Sequence, residues 1–402
     1  MAIVFIFGLI LIFSPMTELR GESTVGQLDI AMVILATITF LLCFGRSDVI
    51  SSSAESQSPF RNLYQEPVAR FWIWTTPILL ASTLINVSGG NSIFLAAIGR
   101  DALAWSATIV TTIAVSAALM SRHRLALAYG FCFGSFVIAL GYSAAALTGV
   151  VGYSEDNRFV GLSLNPNQTA LHALVIITTC YFANRALSSS SRIFRFVLVV
   201  SIVCAFIFGF ATQSDSFRLA SIPIILTFTM ALFERLLGNR TKAVSLIIFT
   251  SFVGILLLEY WNPGFIAHRL DSATSGLQDG NQDIDRITLW KNGIAAWQEN
   301  ILYGNGIGAW SGISGPFEGV ESHNNIIDWL SIVGIAGALI FARLIININS
   351  FNIYKYYDRY FLLLAFIIFG MFGFFFRSPI YWCSISIILY RVYKFPKRIK
   401  MP

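Results

Sequence analysis

Long apolar runs recur along the whole chain, and they restrict its fold more than any other feature does. Residues 196–213 and 324–345 are two examples. At about 1.5 Å of rise per residue, each run can cross the roughly 30 Å hydrocarbon core of a bilayer as a helix. Charged residues make up 12% of the chain, about half the usual share in soluble domains. Because lipid leaves backbone polar groups unsatisfied outside helices and closed barrels, the pattern predicts an all-α, polytopic membrane protein.

The hydropathy pattern predicts about twelve transmembrane helices. Nine of them occupy residues 1–260, a large loop follows at 261–323, and the last three precede a basic tail within 324–402. Residues 92–101 are either a re-entrant segment or part of the fourth span. The predicted spans are 2–16, 29–45, 71–88, 102–120, 125–149, 167–184, 196–213, 218–234, 243–260, 324–345, 360–376 and 379–393.

Lysine and arginine alternate from loop to loop. With the N-terminus on the cytoplasmic side, 19 of the 27 cationic residues fall in cytoplasmic loops and the C-terminal tail. The positive-inside rule therefore predicts that both termini are cytoplasmic. The net charge of +6 is therefore explained by the cationic residues of the cytoplasmic side. No nucleic-acid partner is predicted. The five cysteines all lie in apolar runs, which indicates packing residues.

Eight cations remain on the outer side, against the topology bias, and three of them are candidates for binding. Arg158, Arg218 and Arg286 come from separate outer loops. An outer arginine either pairs with an outer acidic residue or binds an anion. Arginine forks suit phosphate oxygens because they donate two parallel hydrogen bonds.

The large outer loop contains one helical pattern. Apolar residues recur at helical spacing over 286–301, which predicts an amphipathic helix on the membrane surface with tryptophans at headgroup depth. Residues 302–316 then contain five glycines. This segment is either a plain connector or a backbone that approaches a ligand closely.

Two short motifs in this loop suggest cofactors. Asp283 and Asp285 form a D-x-D pair of the kind that binds metal and nucleotide diphosphate, and 304–308 reads G-N-G-I-G. Neither lies in an α/β pattern, which both motifs require for those roles. The sequence therefore predicts neither a metal site nor another cofactor.

A titratable group stands at the start of the tenth span. His323 precedes Asn324 and Asn325, and Asp328 follows. Either asparagine can cap the helix. The helix dipole disfavours a protonated imidazole at this end, which suits a general base near neutral pH. Asn324 and Asp328 are four residues apart and so share a helix face.

The sixth span begins in a similar way, since Asn165 and Asn167 flank a proline there. Arg158 lies just before it. The predicted topology places Arg158, Arg218, Arg286 and His323 on one side of the membrane. A base together with several arginines is what group transfer from a diphosphate-linked donor requires, because the cations offset charge on the leaving diphosphate.

These residues carry a resemblance to a known family. His323-Asn324, nine residues, then Gly334 and Gly337 are similar to the H-[NSQ]-x9-G-x-x-[GTY] pattern of O-antigen ligases of Gram-negative bacteria. The resemblance covers roughly 155–340. The order of twelve spans, with one large periplasmic loop before the histidine, also resembles this superfamily, which includes O-antigen polymerases and protein O-oligosaccharyltransferases.

Further stretches look like recurring features of this superfamily. They are R-F-V-G-L before Asn165, R-I-T-L-W at 286–290 and Y-G-N-G-I-G at 303–308. One position differs: family members often place serine or threonine directly before the first arginine, whereas three residues separate Ser214 from Arg218 here.

The resemblance implies a GT-C-like, metal-independent glycosyltransferase of the bacterial inner membrane. Its donor would be a glycan on undecaprenyl diphosphate, and its acceptor a sugar of the lipid A core. By motif, His323 would be the base, and Arg218 and Arg286 would hold the diphosphate. Two glycines, Gly334 and Gly337, are expected to let a neighbouring helix come close.

Two other functions stay open. A polymerase would use the same donor and extend a second lipid-linked repeat. A flippase or other transporter of lipid-linked sugars is expected to place charged residues near the middle of the membrane or to contain paired broken helices.

Overall fold

A computed structural model of the chain describes residues 1–14, 27–44, 63–88, 95–149, 152–154, 157–163, 165–186, 192–237, 281–312, 320–349, 353–373 and 375–390. Within these ranges the structure is helical. It has no β-strand there, and residues 153 and 159 form an isolated bridge.

The described helices follow the order of the predicted spans, except that α9 lies in the predicted large loop. They are α1 (Ala2–Phe13), α2 (Gln27–Phe44), α3 (Pro67–Ser88), α4 (Leu95–Met120), α5 (Arg124–Thr148), α6 (Pro166–Ala186), α7 (Arg192–Ala211), α8 (Asp215–Leu237), α9 (Asn281–Glu299), α10 (Asn325–Asn349), α11 (Ile353–Gly370) and α12 (Pro379–Leu389), with a 3-10 turn at Trp310–Gly312.

Six of these helices are long and apolar enough to cross a membrane: Pro67–Ser88, Asp101–Met120, Arg124–Thr148, Arg192–Ala211, Asp215–Glu234 and Asn325–Ile346. The prediction of a polytopic helical membrane protein is therefore confirmed. The number twelve stays a prediction, and the ninth span, 243–260, lies outside the described residues. Residues 95–101 belong to α4, so this part of the ambiguous segment continues into the fourth span.

The chain divides into two compact units. Unit 1 comprises residues 1–76, 100–217 and 376–402, and unit 2 comprises 77–99 and 218–375. The chain therefore passes from one unit to the other four times: within α3, within α4, within α8 and between residues 375 and 376. The predicted division at 260 and 323 follows loop lengths, and it stays a prediction.

Unit 1 is built around α6, whose residues from Thr169 to Tyr181 are all buried. It packs against α5, α7 and α12, and α1 packs along α5. The close contact of α1 with α5 depends on Gly130, because a Cβ atom there would lie 2.2 Å from the carbonyl oxygen of Phe5. Such small-residue contacts are typical of helix pairs in membranes.

Unit 2 contains α9, the 3-10 turn, α10 and α11. Helix α9 starts five residues before the predicted amphipathic helix and packs against the 3-10 turn and α10. Leu289 and Ala296 are buried there, whereas Ile294 is 40% exposed. Part of the apolar face of α9 therefore packs on protein, and its position at the membrane surface stays a prediction.

Candidate functional site

Helix α10 begins with a side-chain cap. The Oδ1 atom of Asn324 accepts hydrogen bonds from the backbone N–H groups of Ile326 at 3.0 Å and Ile327 at 3.3 Å. These two donors have no partner inside the helix, so the cap satisfies them. Of the two asparagines predicted as caps, Asn324 is the one that caps the helix.

Asn325 binds a different part of unit 2. Its Oδ1 atom accepts a hydrogen bond of 2.7 Å from the backbone N–H of Phe375, and both residues are buried. The residues after α11 are therefore joined to the first turn of α10. The predicted supporting role of Asn325 has this structural basis.

Ser322, the residue before His323, is held from three sides. Its backbone N–H donates to Oδ1 of Asp328 at 2.9 Å, and its carbonyl accepts from Nε1 of Trp290 at 2.9 Å. Its hydroxyl also accepts from the backbone N–H of Asn324 at 3.2 Å. Ser311, in the 3-10 turn, donates to the same Asp328 oxygen at 3.4 Å. Asp328 thus fixes the turn that precedes its own helix.

His323 lies between these fixed residues and differs from both. Ser322 and Asn324 are buried, whereas His323 is exposed. Its backbone is left-handed, with φ of 55°. That conformation costs a non-glycine residue about 1–2 kcal/mol, and it persists only where neighbours determine it. The surrounding hydrogen bonds therefore hold the backbone of His323 in an unfavourable conformation at the start of α10, and this fixes the position of its imidazole.

Helix α10 is interrupted at Gly334, whose φ of 61° and ψ of −161° are not helical. The backbone of residues 301–306 fills the interruption. The N–H groups of residues 335 and 336 donate to the carbonyls of residues 301 and 302, at 3.0 and 2.9 Å. The carbonyls of residues 331 and 332 accept from residues 305 and 306, at 2.7 and 2.8 Å. Two helical hydrogen bonds are replaced by four between loop and helix, which keeps these buried groups satisfied.

The two glycines of the family-like pattern have different surroundings. A Cβ atom on Gly334 would lie 2.6 Å from the backbone of Leu302 and Gly304. A Cβ atom on Gly337 would instead meet the side chain of Val333 in the same helix. Among the described residues, the close neighbour of Gly334 is a loop and Gly337 has its contact within α10. The expectation that both glycines admit a neighbouring helix stays a prediction.

Asn305 connects several segments of unit 2, and the sequence interpretation missed it. Its side chain donates to the carbonyl of Ala296 at 2.6 Å and accepts from Asn300 at 2.5 Å. Its carbonyl accepts from the side chain of Asn86 in α3. The adjacent Gly306 has φ of 80°, and a Cβ atom there would lie 2.4 Å from the Thr83 backbone. The glycines of G-N-G therefore permit close approach to protein backbone, and this pattern was the available signal.

Arg286 lies in the first turns of α9, one helical turn before Trp290. Because Trp290 bonds to Ser322, the helix that carries Arg286 is attached directly to the His323 turn. The side chain of Arg286 lies outside the described part of the structure, as do those of Asp283 and Asp285. Their predicted roles stay predictions.

The residues predicted around the sixth span form a compact arrangement in unit 1. Asn165 accepts from the backbone N–H of Asn167 at 2.8 Å, and α6 begins at the proline between them. Asn167 accepts from the Ser214 hydroxyl at 2.8 Å. The Nε atom of Arg158 donates to the carbonyl of Thr212 at 3.1 Å. That bond satisfies a carbonyl just after α7, a common role for arginine at a helix C-terminus.

Arg218 is exposed and lies in the first turn of α8, three residues after the first helical position. It belongs to unit 2, whereas Ser214 belongs to unit 1. Another outer arginine, Arg377, forms an ion pair of 2.6 Å with buried Asp101 in unit 1. For Arg377, pairing with an acidic residue is therefore the correct alternative.

One buried acid has no counterpart in the sequence interpretation. The Oε2 atom of Glu66 accepts from the backbone N–H of Ala69 at 2.5 Å and from the Ser116 hydroxyl at 3.0 Å. Within the described ranges, its Oε1 atom has no hydrogen-bond partner. Burial raises the pKa of this carboxyl to about 7, since desolvation disfavours the charged form.

No protein-family model, curated protein or solved structure matches this chain.

Proposed function

We propose that the chain is a membrane glycosyltransferase of the O-antigen ligase type, with His323 as its general base. The observation that carries the proposal is the exposed His323 on a left-handed backbone, fixed at the start of an apolar helix of membrane length. Strained, over-determined residues cluster at functional sites. The motif spacing to Gly334 and the outer arginines supply the choice of reaction.

In this reaction the imidazole accepts the proton of an acceptor hydroxyl. The oxygen then forms a bond to the anomeric carbon of the donor glycan, while the bond from that carbon to the diphosphate oxygen breaks. Undecaprenyl diphosphate leaves with both electrons of the broken bond. Arg286 and Arg218 are the proposed partners of the leaving diphosphate. The proposed location is the bacterial inner membrane, with the active face periplasmic.

The test is glycan transfer by purified protein from a defined undecaprenyl-diphosphate glycan. Rough lipopolysaccharide serves as one acceptor and a second lipid-linked repeat as the other, which distinguishes ligase from polymerase. His323→Ala is expected to abolish transfer while the protein stays folded. His123→Ala, a histidine in the turn before α5, is the matched control and should keep full activity. Transfer by His323→Ala at the normal rate would refute the base assignment.

Two further variants address the donor site. Arg286→Lys should transfer poorly if a bidentate diphosphate contact matters, since lysine cannot supply it. A chelator should leave transfer unchanged if Asp283 and Asp285 hold no metal. Loss of activity on chelation, with recovery on adding Mg²⁺ or Mn²⁺, would contradict the metal-independent mechanism.

A transporter of lipid-linked glycans is the second candidate, and the interruption of α10 at Gly334 favours it. Discontinuous helices form the substrate sites of many transporters. Against this, the four hydrogen bonds from residues 301–306 occupy backbone groups that such a site would use. Proteoliposomes containing labelled donor but no acceptor separate the two functions, because only a transporter moves the donor across the bilayer.

A further inference from the structure

An apolar cleft of about 860 Å³ lies in unit 1, within the described residues. Its walls are the first turns of α1, α5 and α7. The lining side chains are apolar or aromatic, and their polar groups are one tyrosine hydroxyl and one cysteine thiol. None of them is a candidate for the transfer reaction. The cleft is therefore independent of the proposed function.

The dimensions of the cleft match one half of a bilayer. On α5 the lining residues extend from Leu125 to Phe136, about 16 Å along the helix axis. The hydrocarbon core of one leaflet is about 15 Å thick. Tyr129 and Phe133, which also line the cleft, are 41% and 54% exposed. The cleft thus has the length of an acyl chain and an apolar wall that is open to the surroundings.

The end of the cleft at the helix starts is cationic. Arg124 and Arg192 begin α5 and α7, and each directly precedes a lining residue. Arg122 lies in the turn before α5. The sequences of α1, α5 and α7 contain no aspartate or glutamate. The positive ends of the helix dipoles add to this charge.

We propose that this cleft binds an anionic phospholipid, with its phosphate at Arg124 and Arg192 and an acyl chain along α5. Basic pockets between transmembrane helices select anionic headgroups in this way. The predicted topology places the site in the cytoplasmic leaflet. A zwitterionic lipid could fill the apolar part, but its neutral headgroup would gain little from the two arginines.

Lipid binding to the purified full-length chain in neutral detergent tests the proposal. Phosphatidylglycerol or phosphatidylcholine with identical acyl chains is titrated, and native mass spectrometry measures occupancy of the first lipid bound. We expect phosphatidylglycerol to bind about twenty-fivefold more tightly. Arg124→Gln/Arg192→Gln should remove most of this preference, at about fivefold per arginine. Equal affinities for the two lipids in the unmodified protein would overturn the proposal without any variant.

The matched control is Arg343→Gln, which removes an exposed arginine of α10 in unit 2 on the same predicted side of the membrane. It should leave the preference unchanged, and an equal loss in this variant would show that general charge attraction is responsible. Dihexanoyl phosphatidylglycerol has the same headgroup and short chains. It should bind at least about tenfold more weakly because it buries less apolar surface, and equal binding would exclude the cleft as the chain site.

Discussion

Two helix starts, those of α6 and α10, use the same cap and differ in what surrounds it. Asn165 accepts from the N–H two residues later, as does Asn324. At α6 the nearby polar groups satisfy backbone and one another: Arg158 donates to Thr212, and Asn167 accepts from Ser214. The polar side chains named at the start of α6 therefore have structural roles.

The start of α10 differs from that of α6 at one residue, His323. Buried hydrogen bonds fix Ser322 and Asn324, and His323 between them is exposed with a left-handed backbone. Eleven residues later the helix is interrupted and filled by a loop. The comparison teaches that a shared capping motif does not identify a site. Backbone strain maintained by buried neighbours around an exposed titratable side chain is the more informative feature.

The largest stability effect is expected at the interruption of α10. In Gly334→Ala the new Cβ atom would overlap the Leu302 backbone at 2.6 Å, in a backbone region open essentially to glycine alone. We expect a loss of more than about 3 kcal/mol in the free energy of unfolding, measured by thermal unfolding in detergent. Gly141→Ala in α5 is the control, since nothing lies within 4 Å of its Cβ position. It should be neutral or stabilising by up to about 1 kcal/mol. If Gly334→Ala were tolerated as well as this control, the interruption of α10 at Gly334 would be refuted.

A third helix start, that of α3, extends the comparison to a buried acid. The raised pKa of Glu66, about 7 against 4.5, means that the folded state holds the proton more tightly than the unfolded state. Its contribution to stability is complete below about pH 4.5 and is lost as pH rises to about 7. At roughly 1.4 kcal/mol per pKa unit this amounts to about 3 kcal/mol.

Glu66→Gln should remove that dependence because the amide stays neutral. Thermal unfolding of wild type and variant at pH 4.5, 6 and 8 measures it. The variant should become the more stable of the two as pH rises, with no further divergence above pH 8. A constant difference between the two proteins at all three pH values would contradict a raised pKa of Glu66.

The asparagines of the two helix starts provide a matched pair with a smaller effect. Asn325→Ala leaves the buried N–H of Phe375 without its acceptor, which should cost about 2 kcal/mol. Asn165→Ala removes an exposed cap whose N–H can bind water, and about 1 kcal/mol is expected. Chemical unfolding in mixed micelles compares them. Equal losses would show that burial does not distinguish the two starts.

Local sequence signals account for the parts that were predicted correctly. The apolar runs located the helices, and the proline after Asn165 located the start of α6 within one residue. Contacts between distant residues account for what was missed. The break at Gly334 and the role of Asn305 both depend on residues 301–306 contacting α10. The hydrophobic pattern within either segment does not predict that contact. Glu66 lies five residues before the predicted span 71–88, where a solvated acid is the ordinary expectation.

The smallest expected stability effect concerns His323, where two variants separate backbone strain from the catalytic role of the imidazole. His323→Gly and His323→Ala both lack the imidazole, so we expect both to be inactive in glycan transfer. The glycine variant should be more stable than the alanine variant by about 1 kcal/mol, because alanine keeps the left-handed strain. Gln213, with φ of 53° just before α8, gives the matched pair in unit 1. Gln213→Gly and Gln213→Ala should show the same stability gap with full activity. If the two His323 variants were equally stable, the backbone there would not be strained, and the main reason for choosing this histidine would be lost.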